Sequence, residues 1–523
     1  MKPNEIQVPK EKLVLANSEG RLHDKELVTK PISYFRDAFN RFKRNKGSIL
    51  GAIVIGVLVL YAIIAPIFSP YTVAYNDDYF RYTLPKVSDK FDFLDGCEEK
   101  ELNENSFIYF YSMGVETGHN SVKNQKYTVR ELKQGKNTFN MYKFRQDSYH
   151  KTGTVFITSI TVADYQHIQE YQDLTGIQVI YPITDPALRP VEDADDANYW
   201  YTTTTSKSGA TVPTNVTFND DGTLSYENIY IRHGQNNGFD DLYTSKVRIE
   251  GEGNYLYDYA LPKQGGALEN RVNYYEYYIY KHSYKLNDGI TTPYFLFGTT
   301  NYGQDIFTCL ASGARFSFIL AIVVASVNLL VGAIYGAIEG YYGGKIDLLM
   351  ERFVEILSAV PFMIVVTLLK YHMKTSPQVL ILFISFFLTG WIGMAGRTRM
   401  QFYRFKNQEY VLAARTLGAK DTRIMFKHIF PNSLGTLITS SVLVIPGMIF
   451  SETSLSYLGI INLSTGNMTS VGTLLAGAQP YLETYPHMIL FPSIFICLLM
   501  LSFNLFGNGL RDAFNPSLRG AED

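Results

Sequence analysis

Cysteine is nearly missing from this chain of 523 residues, and the three present, Cys97, Cys309 and Cys497, lie too far apart to match any metal-ligand spacing. Only Cys97 falls within the long polar block of residues 71–293, so no disulfide can close inside that block and no redox role is read. Signatures of catalysis are also missing. There is no H-E-x-x-H, no nucleophile and base pair, and no Walker motif. Gly343-Gly344-Lys345 comes nearest to a P-loop, but Glu339 stands where the first glycine is needed. The chain is therefore read as non-catalytic, with no cofactor and no metal. Its formal net charge of −2 carries no signal for nucleic acid, and no nucleic acid partner is expected. Finally, residues 71–293 contain no apolar run long enough to cross a bilayer, whereas the rest of the chain has several.

The 46% hydrophobic content is concentrated in six stretches. Residues 1–47 form a polar leader with 11 Lys or Arg, ending in Arg41, Lys43, Arg44 and Lys46 against the first apolar run. Such a cluster marks a cytoplasmic flank. Residues 48–68 then run without a charge, enough to cross a hydrocarbon core of about 30 Å at about 1.5 Å per residue. This run is too long, and its leader too extended, for a cleaved signal peptide, so a retained span is expected. Further spans are expected at 316–338, 353–369, 379–395, 434–450 and 488–507. The third carries Glu355 near its start and Pro361 inside it; Glu355 reads as solvated near the surface or as part of a translocation path. Gly332, Gly336 and Gly340 recur at i, i+4, i+8, a stripe that lets another helix approach backbone to backbone, within this chain or at a subunit interface.

Charge fixes the orientation. Eight basic residues lie between Arg397 and Lys427, and none lies between Ile460 and His487. Both termini are then cytoplasmic and residues 71–293 extracytoplasmic. That block holds 31 acidic and 21 basic residues and is large enough to bury a core of its own. Its runs at 153–162 and 272–280, and the pair flanking Asp220-Asp221-Gly222, have strand character, with Asp-Gly as a hairpin signal. Its many tyrosines are either the amphipathic residues of half-buried strands or an aromatic platform for a peptide, a sugar or a protein.

Residues 409–432, EYVLAARTLGAKDTRIMFKHIFPN, interrupt the apolar pattern. Tyr410, Val411, Ala414 and Leu417 make one stripe of an amphipathic helix, which Gly418 can break. A second short helix is expected, capped by Asp421, with Ile424 and His428 on one face, stopped by Pro431 next to Asn432. Small side chains at Ala413, Ala414 and Gly418 would let a partner approach, and Glu409, Arg415 and Lys420 would orient it. Taken alone, the stretch is also compatible with an ordinary surface helix pair.

This loop resembles the EAA loop of binding-protein-dependent ABC importer permeases. The whole pattern is similar to the C-type permease subunit of the oligopeptide and dipeptide family: FGTTNYGQDIF at 297–307, SGARFSF at 312–318, GYYGGKIDLLMERFVEILSAVP at 340–361, ETSLSYLG at 452–459 and FNLFGNGLRDAFNPSLRG at 503–520. Two features depart from it. More than 220 residues separate the first span from the FGT motif, where a few tens are usual, and Asn508 replaces the aspartate of the GDGLRD pattern. The resemblance implies an α-helical integral membrane protein with six transmembrane helices of type I ABC importer kind, carrying a large β-rich extracytoplasmic domain between helices 1 and 2. It divides the chain into a cytoplasmic segment 1–47, a first helix 48–68, an inserted domain 71–293 and a permease core 297–520.

The function implied is half of a translocation path in the plasma membrane for oligopeptides or dipeptides. Partners would be a homologous second permease, two ATP-binding cassette subunits that hydrolyse the ATP, an extracytoplasmic substrate-binding protein and membrane lipid. The ATPases would push on Glu409, Ala413, Ala414, Arg415, Leu417, Gly418, Ala419, Lys420, Ile424, His428, Pro431 and Asn432. Similar permeases handle nickel complexes or glutathione. A membrane-anchored receptor or adhesin would leave the cytoplasmic loop unexplained, and a stand-alone secondary transporter would show inverted repeats, which are not found.

Overall fold

The computed structural model describes residues 34–88, 94–103, 106–107, 110–111, 114, 117–134, 137–181, 214–218, 224–228, 261–262, 267–463 and 468–514. Helix α1 (Tyr34–Arg44) leads into α2 (Lys46–Phe68), whose N-cap Asn45 accepts a hydrogen bond from Ser48 N. The membrane part resumes with α5 (Ile306–Tyr342), α6 (Gly344–Ser358), α7 (Phe362–His372) and α8 (Gln378–Phe405, with a turn at Trp391). It ends with α9 (Glu409–Thr416), α10 (Asp421–Tyr457), α11 (Val471–Ala478) and α12 (His487–Phe514). Among the described residues five helices are long and apolar enough to cross a membrane, or six if α6 and α7 together count as one bent span.

That bent pair corrects the expectation of a continuous span at 353–369. The two helices meet at 72°, and Pro361 begins the second rather than sitting inside one helix. Proline has no N–H to give the preceding turn and its ring would strike the carbonyl four residues back, so the chain restarts there. Glu355 lies on the exposed side of α6, 2.5 Å from Arg352.

Helix α2 packs on α12 and α5, and α5 packs in turn on α8 and α10. Leu58, Phe318, Val324, Leu382, Ile449 and Leu499 belong to the one buried cluster that these helices share. The α5–α8 contact is set by the glycine stripe. A Cβ on Gly332 would stand 2.7 Å from Trp391 O, one on Gly336 2.1 Å from Ala395 O, and one on Gly340 2.8 Å from Arg399 O. The two backbones therefore touch within this chain, as small residues allow in an apolar setting where packing rather than water drives association.

Residues 71–293 contain a three-stranded antiparallel sheet, β1 (Cys97–Asn103), β2 (Val122–Gln134) and β3 (Asn137–Asp147), in the order β1-β3-β2. A second sheet contains β4 (Thr154–Ile160) and β5 (Ile180–Tyr181), and α3 (Val162–Thr175) lies between them in the chain. A hairpin of β6 (Thr214–Phe218) and β7 (Leu224–Asn228) flanks the expected Asp-Gly turn, whose residues 220–222 fall outside the described ones. The short β8 (Leu261–Pro262) and the central β9 (Leu268–Asn273) complete the second sheet. Just before β1, burial favours the neutral form of Asp95, but hydrogen bonds from Lys123 and from the Cys97 N–H and the charge of Arg145 outweigh it and hold the carboxyl below its ordinary range.

The run at 272–280 is not a strand beyond Asn273. It turns into α4 (Tyr274–Ile279), which continues as a wider helical turn to Leu286. Asn273 caps this helix by accepting from Glu276 N, a local bond that competes with extending the ladder. Helical spacing then places Tyr274 and Tyr278 on one buried face with Tyr71, Phe80, Tyr149 and Phe295. Their hydroxyls are paired: Tyr274 donates to Asp77 at 2.6 Å, and Tyr75 and Tyr278 share a bond at 2.9 Å. These tyrosines are core residues with a satisfied polar end, and they are not a ligand platform. The block is tied to the membrane part where Thr83 N donates to Thr299 Oγ1 and Thr299 N to Thr83 O.

Candidate coupling site

The stretch 409–432 folds as two helical pieces joined by a tight turn. α9 ends at Thr416, and Gly418 takes φ +77, a conformation that a side chain would oppose. The second piece does not stop at Pro431. Residues Ile424–Ile429 form a wider π-helical turn in which Phe430 N reaches Met425 O, and the helix runs on to Tyr457. Proline can follow because the widened turn re-routes the hydrogen bond that its ring would break. The same turn changes the expected face: Ile424, Met425 and Ile429 are buried, while His428 lies half-buried at the margin. Asp421 is not the cap either, since Lys420 holds that position without a side-chain bond.

Asp421 has another role. Its Oδ1 accepts a 2.6 Å hydrogen bond from the Tyr341 hydroxyl near the end of α5. The Arg415 guanidinium lies 5.8 Å from the centre of the Tyr341 ring, so both helical pieces of the loop hold one side chain. Beneath it Val411, Ile424, Met425 and Ile429 pack with Ala337 and Tyr341 of α5 and Phe402 of α8. Lys406 adds a bond to Gly340 O at 3.0 Å, and Asn432 bridges to the Tyr410 hydroxyl at 3.2 Å. The loop is thus seated on the ends of α5 and α8 through a small apolar core with a polar latch.

Its other side is open. Glu409, Ala413, Arg415, Gly418, Lys420, Pro431 and Asn432 are exposed, and Ala414 and Ala419 are half-buried. Leu417, expected on the stripe with Val411, is 88% exposed because α9 has already ended and the turn carries it outward. Tyr410 and Leu412 of the same loop are exposed with it, next to small residues and charges of both signs.

Two constellations were not anticipated. Arg399 on α8 forks onto Asp347 at 2.6 and 3.0 Å and reaches Glu351 at 3.2 Å and Glu339 at 3.4 Å, clamping α5, α6 and α8 together. In the apolar body, Glu452 is 1% exposed and accepts from Ser317 at 2.9 Å and from Ser456 at 3.1 Å, which joins the 312–318 and 452–459 motifs. The sequence signal for the second was there: Glu452 is the lone acid in the apolar length of α10.

Residues 328–520 match the profile of the binding-protein-dependent transport system inner membrane components, and residues 33–85 match the N-terminal membrane domain of oligopeptide transport permease C. An oligopeptide transport system permease protein OppC of Bacillus subtilis is 44% identical over 223 residues, covering 43% of this chain and 72% of the relative. A dipeptide transport system permease protein DppC of the same organism is 40% identical over 229 residues, covering 43% and 69%. OppC of Haemophilus influenzae is 40% identical over 226 residues, covering 43% and 71%.

Proposed function

Since this chain belongs to the oligopeptide and dipeptide family of ABC importer permease subunits, we propose that it forms half of a peptide translocation path and couples to its ATPases through residues 409–432. The observation that carries this reading is the seat of the loop: an inner face buried on α5 and α8, and an outer face that is exposed, small and charged at its edges. A push on the outer face would pass to two long helices at once. Six spans, with α6 and α7 as one bent span, keep both termini cytoplasmic and residues 71–293 outside. A homologous permease, two ATP-binding subunits and an extracytoplasmic binding protein complete the assembly, and the ATP is hydrolysed by the partners.

The test is recovery of the chain from solubilised membranes, with and without the pair Glu409→Lys and Gly418→Pro. The φ of +77 at Gly418 is closed to proline, which requires about −65°, so the turn cannot form in the variant. The unaltered chain should bring down a second permease and ATP-binding subunits, and the variant should lose the ATP-binding subunits. Equal recovery from both would remove the loop from the mechanism.

The block 71–293 receives the binding protein over the path entrance, a role suggested by its size and by its base at Thr83 and Thr299. Removing residues 89–286 behind a short linker spares that base. Peptide uptake should then fall several-fold, with ATPase assembly intact. Uptake equal to that of the full chain would refute the role.

A further inference from the structure

We propose that a cavity of about 330 Å³ between α8, α10 and α12 binds a phosphate-bearing anion, either the headgroup of an anionic phospholipid or free phosphate. Its volume lies at the small end of ligand pockets, which run from about 300 to 1,000 Å³. Arg397 and Arg404 line it from α8, seven residues apart and so on one face, and Arg511 lines it from α12. Opposite them, Thr436, Ser440 and Leu443 follow one another along a single face of α10.

Charge makes this more than a set of surface arginines. Among the described residues none of Arg397, Arg404 and Arg511 has a carboxylate within ion-pair distance, whereas Arg399 on the same helix is shared among three. α8 contains no acidic residue, and α10 contains only Asp421, which holds Tyr341, and the distant Glu452. α12 contains only Asp512, next in sequence to Arg511, and adjacent residues on a helix do not face each other. Three like charges drawn around one cavity repel unless an anion sits between them, and guanidinium forks match phosphate oxygens two at a time.

The α10 wall changes from hydroxyl at Thr436 and Ser440 to aliphatic at Leu443, in the direction of the membrane interior. That order suits a headgroup whose glycerol and acyl chains point into the bilayer, and basic pockets between helices on the cytoplasmic side hold such headgroups elsewhere. The site rests on the topology proposed above. Labelling of Lys427→Cys from outside the cell would refute that topology while leaving a binding result to stand.

The test titrates dioleoyl phosphatidylglycerol, dioleoyl phosphatidylcholine or inorganic phosphate into the purified complete transporter and follows bound lipid by native mass spectrometry and phosphate by thermal shift. One basic side chain is worth about five-fold in such binding, so Arg397→Gln, Arg404→Gln and Arg511→Gln together should weaken it about a hundred-fold. Saturable phosphatidylglycerol binding lost in the triple variant assigns the lipid. A phosphate shift lost in the triple variant, with no phosphatidylglycerol bound, assigns free phosphate. Binding of both unchanged by the triple variant, or phosphatidylcholine bound as tightly as phosphatidylglycerol, overturns the site. If the triple variant does not assemble, Arg511→Gln alone should weaken binding about five-fold, and no change there overturns the proposal equally.

Discussion

Gly336→Val should leave almost no folded chain in the membrane. A Cβ at this position would meet Ala395 O at 2.1 Å and the Thr398 Cβ at 2.9 Å, and the first of these is backbone that cannot rotate away. Valine would force α5 and α8 apart along the face that also brings Gly332 against Trp391 O and Gly340 against Arg399 O. The Arg399 fork onto Asp347, and its reach to Glu351 and Glu339, would be pulled open with it. Overpacking a well-filled contact costs about 1–3 kcal/mol, and the upper end applies where the obstacle is main chain. Gly396 is the control: nothing lies within 4 Å of a Cβ there, so Gly396→Val at the same depth should accumulate normally. The readout is the monodisperse fraction after solubilisation. Equal yields of the two variants would mean that the glycine stripe is not the packing contact.

The helices of the membrane part were legible because an uncharged run of about 20 residues has few other uses. The stripe at Gly332, Gly336 and Gly340 was legible as close packing, but its partner was not. One sequence does not say which helix lies opposite, and α8 begins 38 residues after the stripe's last member, Gly340, beyond the break at Pro361. Local rules failed where two of them competed. At Val272–Tyr280 the alternating tyrosines look like strand, yet a single capping bond from Asn273 and burial of Tyr274 and Tyr278 on one helical face decided the outcome. At Pro431 the stop signal was real, and the widened turn at Ile424–Ile429 absorbed it, which only the packing of Ile424 and Ile429 could reveal. The Tyr341–Asp421 bond joins residues 80 positions apart, so spacing carried no hint of it.

That bond gives the second large effect. Tyr341→Phe removes one hydroxyl and leaves the ring packed with Ala337, Phe402, Val411 and Ile424, so the loop should still fold and still hold its ATPases. What it loses is the stiff link between the loop and the 37-residue α5, whose far end is capped by Asp305 next to the base of the block 71–293. A hydrogen bond to a charged acceptor contributes about 1.5–3 kcal/mol, and the lower end applies here because Asp421 is partly solvated. If that energy is what forces α5 to follow the loop, peptide uptake per ATP hydrolysed in proteoliposomes should fall about ten-fold. Asp421→Ala removes the acceptor, and with it the same link, from the other side. The two changes together should therefore cost no more than either alone, whereas independent contributions would add. ATPase recovery reduced in step with uptake would make Tyr341 a folding residue and nothing more. Full uptake per ATP in Tyr341→Phe would leave the buried apolar seat, from Val411 to Ile429, to carry the stroke without a latch.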